Sequence, residues 1–346
     1  MKIIADSHIP FLKGRLEPLA RIEYIEPSEF VPERVKDADA LLIRTRTRCD
    51  APLLEGSHVR LIATATIGMD QFNLPWCRSH GIECLNSPGC NAPGVAQYVW
   101  SSLLRLGMES GRHRVGVVGY GNVGSIVAEW GARMGFEILV NDPPKAAISP
   151  DGELHPAYGR EVPLDELLRL SDAVTLHTPL TRDGNHPSYH LISESETALM
   201  KPGAVLVNAA RGPVTDTQAL IAARDDKGLR LVIDTWEGEP QISEELLRRT
   251  DIASYHIAGY SLEGKQRATR AVVEHVCHFF GLGLPGLSDL ATAYKPLAAT
   301  MKPDEIRRAI TDSFDPLEIM RQLRAAPGRF EPLREAYIYR PEPRFI

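Results

Sequence analysis

The chain has 346 residues, of which 43% are hydrophobic and 24% charged, enough for two or three domains with sizeable cores. A formal net charge of -6 argues against bulk attraction to nucleic acid or to an anionic membrane surface, and leaves a small molecule as the expected partner. The amino terminus M-K-I-I-A-D-S-H-I-P has no signal-peptide core and no segment reaches the ~18 to 20 apolar residues of a membrane span, so a cytoplasmic protein with no membrane partner is expected.

In chain order, short apolar runs rich in β-branched residues alternate with longer segments of helical spacing, the pattern of a parallel sheet wrapped by helices. Strand candidates begin at Lys2 (K-I-I-A-D), Ala40 (A-L-L-I-R), Arg60 (R-L-I-A-T-A) and Ile82 (I-E-C-L-N), forming one α/β unit. A helix starting near Asn91, with Pro93 in its first turn, leads out of that unit and is a natural hinge for closure around a ligand. A second series begins at Arg114 (R-V-G-V-V-G), Glu137 (E-I-L-V-N-D), Ala173 (A-V-T-L-H-T), Ala204 (A-V-L-V-N-A) and Arg230 (R-L-V-I-D-T). A helix from Glu263 to Phe280 follows, ended by the breaker Gly281 to Gly286, and a proline-containing tail closes the chain. The five cysteines, Cys49, Cys77, Cys84, Cys90 and Cys277, form no C-x-x-C pair, and Cys77, His80, Cys84 and Cys90 match no zinc spacing, so neither disulfide nor metal is expected.

The turn G-Y-G-N-V-G follows the strand at Arg114 and precedes a plausible helix, the setting of a phosphate cradle. Gly119, Gly121 and Gly124 would let backbone approach a pyrophosphate, with Asn122 and Val123 offering N–H groups at a helix amino terminus. Asp142 lies 18 residues after Gly124 (142 minus 124), at the end of the next strand, where a carboxylate accepts from ribose hydroxyls and repels a 2'-phosphate. That repulsion is about 4 kcal/mol at about 4 Å and an effective dielectric of about 20, which favours NAD over NADP, although Lys145 would soften it.

The later strands end in polar residues on the edge where open α/β sheets bind ligands. Thr178 in H-T-P-L stands there, within reach of a cofactor, and Arg211 in V-N-A-A-R-G can grip a substrate carboxylate in a bidentate fork. Gly212 behind it lets backbone crowd a ligand. In D-T-W-E-G-E-P, Asp234 is placed to accept from the nicotinamide carboxamide. His256 in S-Y-H-I-A-G-Y follows a short strand candidate, and an imidazole, with an ordinary pKa near ~6.5, suits proton transfer close to working pH.

At these residues the chain resembles the D-isomer-specific 2-hydroxyacid dehydrogenase family, which carries A-R-G, D-x-x-x-x-E-P and H-x-A-G in this order. The spacings are 28 (239 minus 211) and 17 (256 minus 239). The likeness extends to I-A-T-A-T-I-G-M-D from Ile62, N-S-P-G-C-N-A from Asn86 and A-P-G-R-F-E-P-L-R from Ala326, and so covers nearly the whole chain. It implies that Arg211 orients the substrate, Glu239 partners the histidine and His256 is the acid/base. It further implies that Thr45, Thr66 and Tyr260 meet substrate, and that Asp142, Thr178, Ala209, Ala210, Arg211, Asp234 and Gly259 meet NAD.

The fold expected is α/β, with two doubly wound parallel-sheet domains: a flavodoxin-like substrate domain over 1–92 and 257–284, and a Rossmann NAD domain over 93–256. A small C-terminal α+β segment, 285–346, is expected to dimerise the chain. The branch implied acts on a phosphorylated 2-hydroxy acid, and I-R-T-R-T-R supports this from chemistry: if the strand continues, Arg44, Arg46 and Arg48 share one face. Arg44 is the preferred phosphate contact, then Arg46. A sibling dehydrogenase of phosphoglycerate, glycerate or hydroxypyruvate would use the same three residues, and an NAD-sensing protein could keep the fold without turnover.

Overall fold

Strands buried on both faces read as nearly continuous apolar runs, which is why the short runs above form strands of parallel sheets. The computed structural model describes residues 1–345. It divides into two units, Met1–Asn91 with Leu262–Tyr294 and Ala92–Ser261 with Lys295–Ile346.

The first unit holds β1 (Lys2–Asp6), β2 (Arg21–Ile25), β3 (Ala40–Ile43), β4 (Leu61–Thr64) and β5 (Glu83–Leu85). They form one parallel sheet in the order β2-β1-β3-β4-β5, the flavodoxin-like order. Alternation assigns the faces: Ile3, Ala5, Ala40, Leu42, Leu61 and Ala63 enter one core, and Ile4, Leu41, Ile43 and Ile62 the other. The first face is covered by the helix Leu262–Phe280 through Ala268, Val272, Val273 and Val276.

The second unit holds β6 (Arg114–Val118), β7 (Glu137–Asn141), β8 (Arg160–Glu161), β9 (Ala173–Leu176), β10 (Val205–Asn208), β11 (Arg230–Ile233) and β12 (Ile252–Ala253). Their order, β12-β11-β10-β9-β6-β7-β8, is doubly wound and parallel throughout, with the strand order reversing between β6 and β9. The helix Ala92–Arg105 packs on the helix Asn122–Arg133: fully buried Trp100 donates from Nε1 to Val127 O at 3.0 Å. Gly131 makes room, since a Cβ there would lie 2.4 Å from the Trp100 ring. Truncating an indole seated this way costs about 3–5 kcal/mol.

Three features depart from expectation. The strand Arg21–Ile25 lies at the sheet edge, half exposed, and its charged residues mask its pattern. The strand at Ala40 stops at Ile43, so Arg44, Arg46 and Arg48 lie on a turn and loop and share no strand face. The tail does not form a third unit from residue 285: its first part, through Tyr294, groups with the first unit and the rest with the second. That rest contains the helices Pro303–Ser313, Pro316–Ala325 and Phe330–Glu335, with one parallel bridge, Ser261 to Arg340. It is fastened by Arg133, which donates to the carbonyls of Leu297, Ala298, Ala299 and Met301, and by Glu129, which accepts from Leu297 N. All five cysteines are free, and among the described residues no helix is long and apolar enough to cross a membrane.

Candidate active site

The turn from β6 into the helix Asn122–Arg133 lies where the strand order reverses. Two of its glycines are forced by packing. Gly119 has φ 90°, and a Cβ there would come within 2.8 Å of the His177 carbonyl; one on Gly124 would lie 1.9 Å from Gly119 O. Gly121 is different: it caps the helix with φ -83° and a Cβ on it would meet nothing within 4 Å. That space is open to an approaching ligand. Asn122 and Val123 open the helix, whose first N–H groups lack intrahelical partners and present a positive end to phosphate.

Asp142 follows β7 and fixes this turn. Its Oδ2 accepts from Tyr120 N at 2.7 Å, and its Oδ1 accepts from Lys145 N at 3.0 Å, capping the short helix Pro143–Ala147. Lys145 turns its ammonium to Tyr120 O at 2.8 Å. Thr178 follows β9, and its buried Oγ1 has no hydrogen-bond partner, an orphan that a bound cofactor would satisfy. Burial pushes the neighbouring His177 imidazole down to about 3, so it is neutral throughout the working range, 2.9 Å from Thr175 Oγ1. A glycine cradle and an orphaned hydroxyl at one sheet edge fit NAD.

Beyond β10, Ala209 and Ala210 lead to Arg211, which donates from Nη1 to Ala210 O at 2.8 Å. Gly212 is crowded by protein and not by ligand: a Cβ there would lie 2.0 Å from Trp236 O. Its role is to bring the Arg211 segment against the loop that carries Glu239. In that loop Glu239 Oε1 accepts from Trp236 N at 2.7 Å, and Oε2 lies 2.7 Å from His256 Nδ1. Burial pushes the Glu239 carboxyl up, but the His256 charge and hydrogen bond, the Trp236 N–H and the Arg334 charge outweigh it and hold the group below its ordinary range. Glu237 belongs to a separate pair with His190, at 2.7 Å.

Asp234 is 1% exposed and its carboxylate already accepts from Ser254 Oγ, Ile257 N and Ala258 N at 2.7, 2.8 and 3.0 Å. It is first an anchor for the segment bearing His256, whose own N–H donates to Asp234 O at 2.9 Å. Gly259 and Tyr260 follow in the same turn, and the Tyr260 hydroxyl accepts from Arg334 Nε at 3.1 Å.

The remaining expected residues lie in the first unit. Arg44 directs its Nε at 2.8 Å onto the fully buried Asp6, a carboxylate that requires a partner. Thr45 and Arg46 are exposed on the turn, and Thr66 Oγ1 lies 2.7 Å from Thr64 Oγ1. Arg48 reaches Asp50 on the surface and is removed from the basic cluster. Two tail arginines were not singled out from the sequence. Arg334 ends the block A-P-G-R-F-E-P-L-R, which was a usable signal; Arg340, buried against Ile257 and Ala258, had none.

Residues 94–258 match the model of the D-isomer specific 2-hydroxyacid dehydrogenase NAD-binding domain. Among curated proteins, the chain is 42% identical to an erythronate-4-phosphate dehydrogenase of Porphyromonas gingivalis, covering 99% of this chain and 93% of the relative. It is 40% identical to one of Bacteroides fragilis, covering 99% and 97%, and 36% identical to one of Proteus mirabilis, covering 99% and 93%. Among solved structures, Aquifex aeolicus D-lactate dehydrogenase complexed with NAD and lactic acid superposes with a TM-score of 0.65 at 25% identity, over 81% of this chain and 95% of that one. Staphylococcus aureus NAD-dependent formate dehydrogenase, in complex with NAD, shares the fold at a TM-score of 0.64 and 22% identity, over 81% and 96%. With its glycine cradle, its carboxylate–imidazole pair and near-complete coverage by such relatives, the chain belongs to the D-isomer-specific 2-hydroxyacid dehydrogenase family.

Proposed function

We propose that this chain oxidises the C2 hydroxyl of 4-phospho-D-erythronate to 2-oxo-3-hydroxy-4-phosphobutanoate, a step towards pyridoxal 5'-phosphate. NAD, when bound, supplies the hydride acceptor. The observation that carries the reaction is the 2.7 Å contact of His256 Nδ1 with Glu239 Oε2. With Nδ1–H donating to the carboxylate, Nε2 keeps its lone pair and takes the C2 hydroxyl proton. Arg211 grips the substrate carboxylate and holds C2 in register. When NAD is bound, Asp142 would accept from the ribose hydroxyls, and Thr178 with the Gly119–Gly124 turn would hold the pyrophosphate side. Ala209, Ala210, Asp234 and Gly259 would complete the nicotinamide side, and Tyr260, Thr45 and Thr66 would meet substrate.

The substrate choice is supported by the named relatives and by the basic turn at Arg44 and Arg46, to which we assign the phosphate. The same reading makes the chain a cytoplasmic homodimer; the dimer rests on the resemblance of the tail to the dimerisation segment of the same branch, and light scattering in dilute solution checks it. NADH appearance with 4-phosphoerythronate against 3-phosphoglycerate at equal concentration tests the substrate; equal rates would overturn it. In the same assay His256→Asn should lower turnover roughly 100- to 10,000-fold with NAD affinity retained. Full turnover in that variant would remove His256 from the mechanism.

A further inference from the structure

His256 sits in the left-handed region, at φ 59°. A side chain of this size holds that conformation under strain, and only where its surroundings over-determine it. Two buried charges do so. Asp234 takes the N–H groups of Ile257 and Ala258, and an arginine 84 residues beyond His256 (340 minus 256) takes the carbonyls of the same two residues. Arg340 is 6% exposed. Its Nη1 donates to Ile257 O at 2.9 Å, and its Nη2 donates to Ala258 O at 2.5 Å and to Gly94 O at 2.9 Å. Its Nε donates to Gln97 Oε1 at 2.8 Å, and the guanidinium lies 4.3 Å from the centroid of the Phe314 ring.

The peptide unit joining Ile257 to Ala258 is therefore gripped at both ends, its carbonyl by the cation and its N–H by the anion. Each charge is satisfied through the backbone between them, an arrangement that an arginine fork can make and a point charge cannot. Adjacent contacts repeat the attachment: Ser261 pairs with Arg340 along the backbone, and the Ser261 hydroxyl donates to Glu342 at 2.6 Å.

We propose that Arg340 is a positioning residue for the reaction: with Asp234 it fixes the peptide that follows His256, and so the line along which the imidazole meets the C2 hydroxyl. The inference rests on His256 being the acid/base. A purely structural arginine would lower the amount of folded protein and leave each folded molecule at full turnover. A positioning arginine leaves folded molecules that bind normally and turn over slowly, since a displacement of about 1 Å at the reacting atoms costs on the order of 100-fold.

The test uses the full-length Arg340→Ala and Arg340→Lys variants, with folding checked by circular dichroism and NAD affinity by fluorescence titration. The expected result is a kcat lower by about 10- to 100-fold in both, with KM and NAD affinity within about threefold of the parent. Dilute guanidinium ion should restore kcat in Arg340→Ala, and an equal concentration of urea should not. Unchanged kcat in folded Arg340→Ala would overturn the proposal, as would a loss that guanidinium leaves untouched. If Arg340→Ala does not fold, parental kcat in Arg340→Lys overturns it and a lowered kcat supports it. Failure of the acid/base reading is separately visible, because His256→Asn would then keep its turnover whatever Arg340 does.

Discussion

At Glu239 desolvation and attraction oppose each other and attraction wins, so the folded chain holds this carboxyl below its ordinary value of 4.5. The sign of the pH effect follows. A depressed carboxyl contributes stability that is fully present above its unfolded pKa and is lost as pH falls through the folded one. Glu239→Gln should therefore lower the urea midpoint at neutral pH by the equivalent of about 2 kcal/mol, with the gap to the parent closing below about pH 4.5. Denaturation series at several pH values decide it; a gap that stays constant into acid would mean that the contacts with His256 and Trp236 do not hold the charge. The Glu239–His256 pair was legible in the sequence through the resemblance, because the two residues fall in its D-x-x-x-x-E-P and H-x-A-G blocks at the family's spacing. Arg340 was illegible for a physical reason: a buried arginine satisfied by distant carbonyls leaves the same local pattern as a solvated one. Gly212 was legible as a point of close approach, but what approaches it, the Trp236 backbone, is set by tertiary packing.

The turn between β6 and its following helix separates two demands that glycine can answer. Gly124 answers a packing demand, and Gly124→Ala places a methyl 1.9 Å from Gly119 O, forcing helix and strand apart at a cost of about 1–3 kcal/mol. Gly121 answers a ligand demand. Gly121→Ala should leave thermal stability near that of the parent, because φ is negative and the space is open, while NAD affinity falls. Melting curves and NAD titrations on both variants check the pair; parental NAD affinity in Gly121→Ala would remove that residue from the cofactor site. Such elements read well from sequence when they are buried on both faces, as β6 and β10 are. They read poorly at edges, where β2 mixes Arg21 and Glu23 with apolar residues and β8 is only two residues long.

Each of the two units carries its own sheet, yet the chain enters the first unit twice and the second unit twice. The return of Leu262–Phe280 to the first unit was readable from its apolar periodicity, whereas the division of the tail at Tyr294 depends on anchors such as Arg133 and Glu129, charged residues with no local signature. The cofactor assignment has a consequence at this scale. All the residues given to NAD lie in Ala92–Ser261, so cofactor binding should be felt as stability there. At about 100 times its dissociation constant, NAD adds about 2.7 kcal/mol to whatever opening exposes its site, which slows exchange through that opening about 100-fold. Hydrogen-exchange mass spectrometry should show this slowing in peptides spanning β6, β7 and β9, with peptides spanning β1, β3 and β4 changing far less. Protection confined to the first unit would move the cofactor away from the glycine turn and with it the whole reading of the sheet edge. Protection concentrated around Gly119–Gly124 and Thr178 would place the pyrophosphate where the strand order reverses, beside the open N–H groups of the helix amino terminus and the unpartnered Thr178 hydroxyl.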